Sequence, residues 1–242
     1  LSGLTGLREL KMTDCRSLTD ISALAGHPGL TRLSLFRCLT LPGLTGLSDL
    51  PSLAHLNLSQ CKALTTLDGL ASAPALAELD LSYCRMLVDA SALSGLTGLR
   101  ELKMTDCRSL PCLPPLGALP KLAELDLHGN RALKDLSGLA GLAGLTKLNL
   151  TGSSLADLSS LPPLPALETL LLVNASLTSL NGMPYLPSLQ LMTLRHCTNI
   201  TDIEGLRGQP LHTLHLYVRR GLDFSPLALS LIHISEPTRQ IR

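Results

Sequence analysis

A chain of 242 residues, 45% hydrophobic but only 2% aromatic, is long enough to bury a sizeable core and must build it from aliphatic side chains. Its 20 basic and 19 acidic residues nearly cancel, so the basic excess that marks a nucleic-acid or acidic-lipid surface is missing, and neither partner is expected. No run of apolar residues reaches the length of a bilayer span, so no membrane contact is expected within this stretch of chain.

The first element is "LSGLTGLRELKMTDCRSL", residues 1–18, and the same letters return unchanged at 93–110. The offset of 92 is four periods of 23, and the intermediate copies follow Cys15 at that spacing: Cys38, Cys61, Cys84 and Cys107. The apolar residues keep their offsets from each cysteine, giving LxxLxLxxCxxLxxLxxL. Beyond Cys107 the same position holds Asn130, Ser153, Ala175, Cys197 and Arg219, the period shortening to 22, so about ten copies fill residues 1–228. A fixed period of this length is the signature of a solenoid.

Within each copy the LxL triplet alternates with period two, which predicts a short strand whose leucines point inward. The return segment, such as "LTDISALAGHPG", carries an apolar residue at every third position, which suits a 3₁₀ or helical turn. Asp20, Asp89, Asp135, Asp157 and Asp202 precede these turns, where a carboxylate can accept from free backbone N–H groups. A proline such as Pro28, Pro51, Pro74 or Pro120 then releases the chain into the next strand. One rung cannot bury its own leucines, but stacked rungs share a core. At roughly 1.5–3 kcal/mol per buried leucine, aromatic packing is not needed.

"LAHLNLSQC", "LAELDLSYC", "LAELDLHGN" and "LQLMTLRHC" carry a close resemblance to the leucine-rich repeat family, and most of all to the short repeats of its bacterial and protist members. The resemblance implies an α/β solenoid: a leucine-rich repeat horseshoe with a concave parallel β-sheet and short 3₁₀ or helical turns on the convex side. It also implies that Cys15, Cys38, Cys61, Cys84, Cys107, Asn130 and Cys197 form an inward structural ladder bonded to backbone groups of the turns. Cys112 falls off this ladder, on a return segment, and reads as an ordinary half-buried thiol. An unpaired thiol ladder leans toward a reducing, intracellular compartment. NxS/T strings at Asn57, Asn149, Asn174 and Asn199 would permit glycosylation in a secreted protein, but repeats of the LNLS type generate them automatically.

The periodicity stops after residue 228. "LSLIHISEPTR", residues 229–239, resembles the in-frame translation of a transposase adapter used in sequencing libraries, so 229–242 is read as a non-native tail and excluded from fold reasoning. The array opens in mid-repeat at Leu1 and is expected to be truncated at both ends. Without Arg239, Arg242 and Glu236 it holds 18 basic and 18 acidic residues.

No phosphate loop, nucleophile elbow or carboxylate pair appears, so no catalytic residue, no cofactor and no metal site is expected. His196, His212 and His215 are the nearest approach to a metal set and read better as a solvated groove. Function then falls to the residues that alternate with the strand leucines and face the concave side. In the first rungs these are Glu9 with Lys11, repeated as Glu101 with Lys103. In the last three rungs Leu171, Val173 and Leu191 stand beside Arg195, His215 and Tyr217, an aliphatic patch with an aromatic and an arginine of the kind that anchors protein interfaces. The expected function is a non-catalytic scaffold that docks a protein or peptide on its concave face. The alternatives are the substrate-recognition segment of a larger enzyme complex of the ubiquitin-ligase or phosphatase-regulatory type, and a surface or secreted recognition protein.

Overall fold

In a computed structural model of the chain, residues 4, 6–25, 27–47, 50–70, 73–173, 175–217, 222–227 and 233–234 are described. Each LxL triplet forms a strand of three or four residues: β1 (Glu9–Lys11), β2 (Arg32–Ser34), β3 (His55–Asn57), β4 (Glu78–Asp80), β5 (Glu101–Lys103), β6 (Glu124–Asp126), β7 (Lys147–Asn149), β8 (Thr169–Leu171), β9 (Leu191–Leu194) and β10 (Thr213–Leu216). They lie side by side in chain order as one parallel sheet. The register never slips, so Leu10 pairs with Leu33, Leu33 with Leu56, and so on to Met192 with Leu214. A slip of one residue would turn every leucine outward, and the shared core forbids it.

The core is a stack of leucine layers. Leu33, Leu56, Leu79, Leu102, Leu125 and Leu148 come from the strands and are buried, as are Leu35, Leu58 and Leu81, two residues further on. The return segments contribute the other wall, with Leu24, Leu47, Leu70, Leu93 and Leu139. Six short 3₁₀ turns occur among the described residues, such as Ser22–Leu24, Ser91–Gly95 and Glu204–Leu206, and no α-helix. An apolar residue at every third position matches three residues per turn, so the 3₁₀ form directs all of them inward where an α-helix would rotate them away. Asp20, Asp89, Asp135, Asp157, Asp202 and Asp223 each accept the N–H two residues ahead, at 2.8–2.9 Å, which bends the chain into the turn.

The position before the ladder residue takes a left-handed backbone. Asp14, Arg37, Gln60, Tyr83, Asp106 and His196 have φ of 59–63°, and Gly129 and Gly152 occupy the same place with φ of 74° and 67°. This residue turns the chain off the sheet, and at Asp14, Arg37, Gln60, Tyr83, Asp106, Gly129 and Gly152 its amide still bonds across to the next rung, as from Gln60 N–H to the Ser82 carbonyl at 2.7 Å.

The expectation that 229–242 is a non-native tail without continuation concerns residues that lie outside those described, apart from His233 and Ile234. Their backbone forms β11 (His233–Ile234), which pairs with Thr213 and Leu214 of β10. An edge strand offers unpaired N–H and C=O groups to any extended segment, whatever its side chains.

Candidate functional site

Parallel, in-register strands convert each repeat position into a column running along the solenoid. The ladder column points inward. Cys38 Sγ donates to the Met12 carbonyl at 3.1 Å, and Cys61, Cys84 and Cys107 repeat the contact to Leu35, Leu58 and Leu81 at 3.2 Å. Asn130 Nδ2 reaches the Met104 carbonyl at 2.8 Å, and Cys197 that of Leu172 at 2.8 Å. Each bond ties a turn to the rung before it. Burial pushes the Cys61 and Cys107 thiols up to about 12 and raises Cys38, Cys84 and Cys197 as well. Two positions differ from the sequence reading. Cys15 is only half-buried, its Sγ 3.9 Å from the Thr13 carbonyl, and Cys112 is exposed rather than half-buried.

On the outward face, the first column brings Glu78, Glu101 and Glu124 into direct register. His55 Nδ1 lies 2.8 Å from Glu78 Oε2, and Lys147 Nζ 3.3 Å from Glu124 Oε2. The duplicated segment gives the same pair twice, Lys11 to Glu9 at 2.8 Å and Lys103 to Glu101 at 2.6 Å. Lys11 accordingly holds the Glu9 carboxyl below its usual range, and Glu101 raises the Lys103 ammonium. These rungs enclose a groove of ≈ 350 Å³, lined by both strands of the duplication.

The second column carries a role that alternation alone did not disclose. Asn57, Asp80, Asp126 and Asn149 turn their Oδ1 atoms back to the N–H groups of Ser59, Ser82, His128 and Thr151 at 2.8–3.0 Å. They shape the exit from the strand. The signal was present in the spacing of Asn or Asp two residues before Ser, Thr or His.

The C-terminal candidates come together as a chequer. Leu171 registers with Thr193, and Leu191 with Thr169 and Thr213, so the two leucines are diagonal neighbours separated by threonines. Leu171, Val173, Leu191 and His215 are half-buried, while Arg195 and Tyr217 are exposed. The sequence reading missed His196 as a member. Its ring lies 5.0 Å from that of Tyr217, centroid to centroid, inclined at 46°, and so braces the tyrosine at the edge of the patch. Leu171 lines a groove of ≈ 190 Å³ shared with Glu101, Lys103 and Lys147. Among the described residues, no three His, Cys, Asp or Glu side chains gather as a metal set.

No protein-family model matches the chain, and no curated protein matches it in sequence. Solved structures do. An internalin (inlF) from Listeria monocytogenes aligns at 24% identity with a TM-score of 0.57, covering 92% of this chain and 72% of its own. The mouse RP105/MD-1 complex aligns at 23% identity with a TM-score of 0.63, covering 96% of this chain and 43% of that one. Both similar structures are leucine-rich repeat proteins. With the unbroken register, the inward ladder and the 3₁₀ returns, this likeness gives the chain the leucine-rich repeat fold, a parallel-strand solenoid.

Proposed function

We propose that the protein is a non-catalytic scaffold that binds a protein or peptide on its concave sheet, with the C-terminal rungs as the anchoring region. The observation that carries the reading is the contrast along the sheet. The N-terminal rungs spend their charges on one another, in pairs whose side chains are largely solvated and therefore screened. The C-terminal rungs leave Leu171 and Leu191 half-buried with no charged neighbour in register, keep Val173 half-buried beside them, and set an exposed Tyr217 and Arg195 at their margin. Aliphatic area rimmed by an aromatic and a guanidinium supplies interface anchors. The likeness to RP105, seen in complex with MD-1, is in keeping with a protein partner. A recognition segment within a larger enzyme complex would use the same surface.

The test begins with a partner captured by pull-down. Tyr217→Ala and Leu171→Asp should each weaken it about tenfold, a loss of roughly 1.4 kcal/mol, with the circular-dichroism melt unchanged. A second reading has its own support, since the ≈ 350 Å³ groove places both copies of the duplicated pair on one face, suiting a repetitive charged ligand. If Lys11→Glu and Lys103→Glu abolish binding while the C-terminal changes do nothing, that second reading replaces the first.

A further inference from the structure

The position directly after the ladder residue forms a column at the carboxyl edge of the sheet, and in three successive rungs it is arginine: Arg85, Arg108 and Arg131. Successive strands lie about 4.8 Å apart, so the three guanidiniums stand within about 10 Å along the axis. They are exposed and line one cleft of ≈ 590 Å³, closed toward the C-terminal side by the hydroxyl residues Ser154 and Ser176.

Asp106 is the only carboxylate among the residues that line this cleft, and it organises the cations without cancelling them. Its side chain is 10% exposed, Arg108 Nε lies 2.6 Å from Oδ1 and Arg85 Nη2 lies 3.2 Å from Oδ2. One carboxylate thereby fixes the direction of two guanidiniums and leaves their other N–H groups for a ligand. Burial would raise the Asp106 carboxyl, but Arg108 and then Arg85 outweigh it and hold it below the usual range, so it stays charged at neutral pH. Arg131 makes no ion pair among the described residues. Three guanidiniums against one carboxylate leave a surplus of two positive charges in a concave, donor-rich site.

We propose that this cleft binds a phosphomonoester, presented as a phosphoserine or phosphothreonine on a peptide or protein ligand. A phosphomonoester carries about −1.5 to −2 charges at neutral pH and three acceptor oxygens, which matches the surplus and the forked donors. A carboxylate carries half that charge, and a nucleic-acid phosphodiester likewise only one. The inference rests on the protein-partner reading for the source of the phosphate, but the cleft lies on the loop edge and uses none of the aliphatic patch.

Fluorescence polarisation tests it on the full chain with a short labelled Gly/Ser peptide carrying one phosphoserine. The same peptide with Glu or with Ser at that place, inorganic phosphate as competitor and a short single-stranded oligonucleotide complete the set. The phosphopeptide should bind about tenfold tighter than the Glu peptide, be displaced by inorganic phosphate, and weaken as salt rises from about 20 to about 200 mM. Arg131→Gln and Arg85→Gln should each lose about tenfold, while Arg100→Gln, an exposed arginine outside the cleft, should lose nothing. Failure of the phosphopeptide to bind a chain that is folded by circular dichroism overturns the proposal. So does equal binding of the Glu peptide, equal loss in Arg100→Gln, or tighter binding of the oligonucleotide, which would make the cleft a nucleic-acid site. Because no captured partner is needed, the outcome is independent of whether Leu171→Asp disrupts the scaffold's own complex.

Discussion

Gly129 and Gly152 occupy equivalent places in adjacent rungs with nearly the same backbone, φ 74° and 67°, so alanine at each imposes the same left-handed strain. That strain costs about 1–2 kcal/mol in the folded state, and the lower entropy of the unfolded alanine chain returns about 0.4–1 kcal/mol. The surroundings differ. A Cβ at Gly152 meets only the Gly129 backbone at 3.6 Å, an ordinary contact. A Cβ at Gly129 comes to 2.9 Å from Asp106 Oδ1, the atom that receives the Arg108 guanidinium at 2.6 Å. Gly152→Ala should therefore cost about 0.5–1 kcal/mol, and Gly129→Ala about 2 kcal/mol, the excess being a displaced charge-assisted hydrogen bond discounted for the exposed arginine. Urea unfolding followed by circular dichroism reads both as shifts in midpoint at constant slope. Acidity separates the two contributions. The folded Asp106 carboxyl lies below its unfolded value of about 3.9, so its stabilisation is complete above that pH and lost as the pH falls through the folded value. The gap between the variants should close in acid while the Gly152→Ala deficit stays. Equal costs at neutral pH, or a gap that persists in acid, would refute the assignment of the excess to Asp106.

The thiols offer a second measurement. Native protein treated with a thiol reagent at pH 8 should be labelled fast at exposed Cys112, more slowly at half-buried Cys15, and hardly at all at Cys61 and Cys107, where a value of about 12 leaves about one thiol in ten thousand ionised. Rapid reaction at all the ladder positions would contradict the inward column. The turn carboxylates of Asp20, Asp89, Asp135, Asp157 and Asp223 are each held below their usual range, by bonds from the backbone N–H and hydroxyl of the serine two residues on. Their joint contribution is present above the unfolded carboxylate value and disappears as pH falls, so the melting temperature should drop below about pH 4, and less steeply in an Asp135→Asn, Asp157→Asn double variant. Removing residues 229–242 should leave the melting temperature within about 2 °C, and a fall of several degrees would mark that segment as a true cap of the array.

The fold was legible because three independent signals repeat together: the LxL alternation, the ladder residue and the apolar residue at every third position of the return. Leu33, Leu56, Leu79, Leu102, Leu125 and Leu148 could be named as core from spacing alone, and all are buried. The left-handed column was partly visible in the glycines of "HGN" and "TGS", yet Arg37, Gln60, Tyr83 and His196 adopt the same backbone without any such mark. At Arg37, Gln60 and Tyr83 the strain is tolerated because the amide bond to the next rung and the buried ladder side chain hold the turn from both sides. The outward face is harder to read, because a residue that points away from the core escapes the constraint that makes the core periodic. Asp80 and Asp126 alternate with the strand leucines as any outward residue does, and nothing in that alternation distinguishes them as the residues that close local turns.

Net charge is the measure most weakened by this architecture. A sum over the sequence assumes that charges mix on the surface, whereas an in-register solenoid sorts them by repeat position. Glu78, Glu101 and Glu124 accumulate in one column of the sheet, and Arg85, Arg108 and Arg131 in another at its edge, within the same rungs. Exposed charges farther apart than the Debye length, about 8 Å at physiological salt, are largely screened from one another, so charges sorted into separate columns need not neutralise each other. A formal charge near zero therefore argues against a uniformly basic surface and leaves open an anion site confined to three rungs. In a repeat protein the informative count is taken down each column, and there the ladder neighbours "CRM", "CRS" and "NRA" carry a surplus that the whole-chain total conceals.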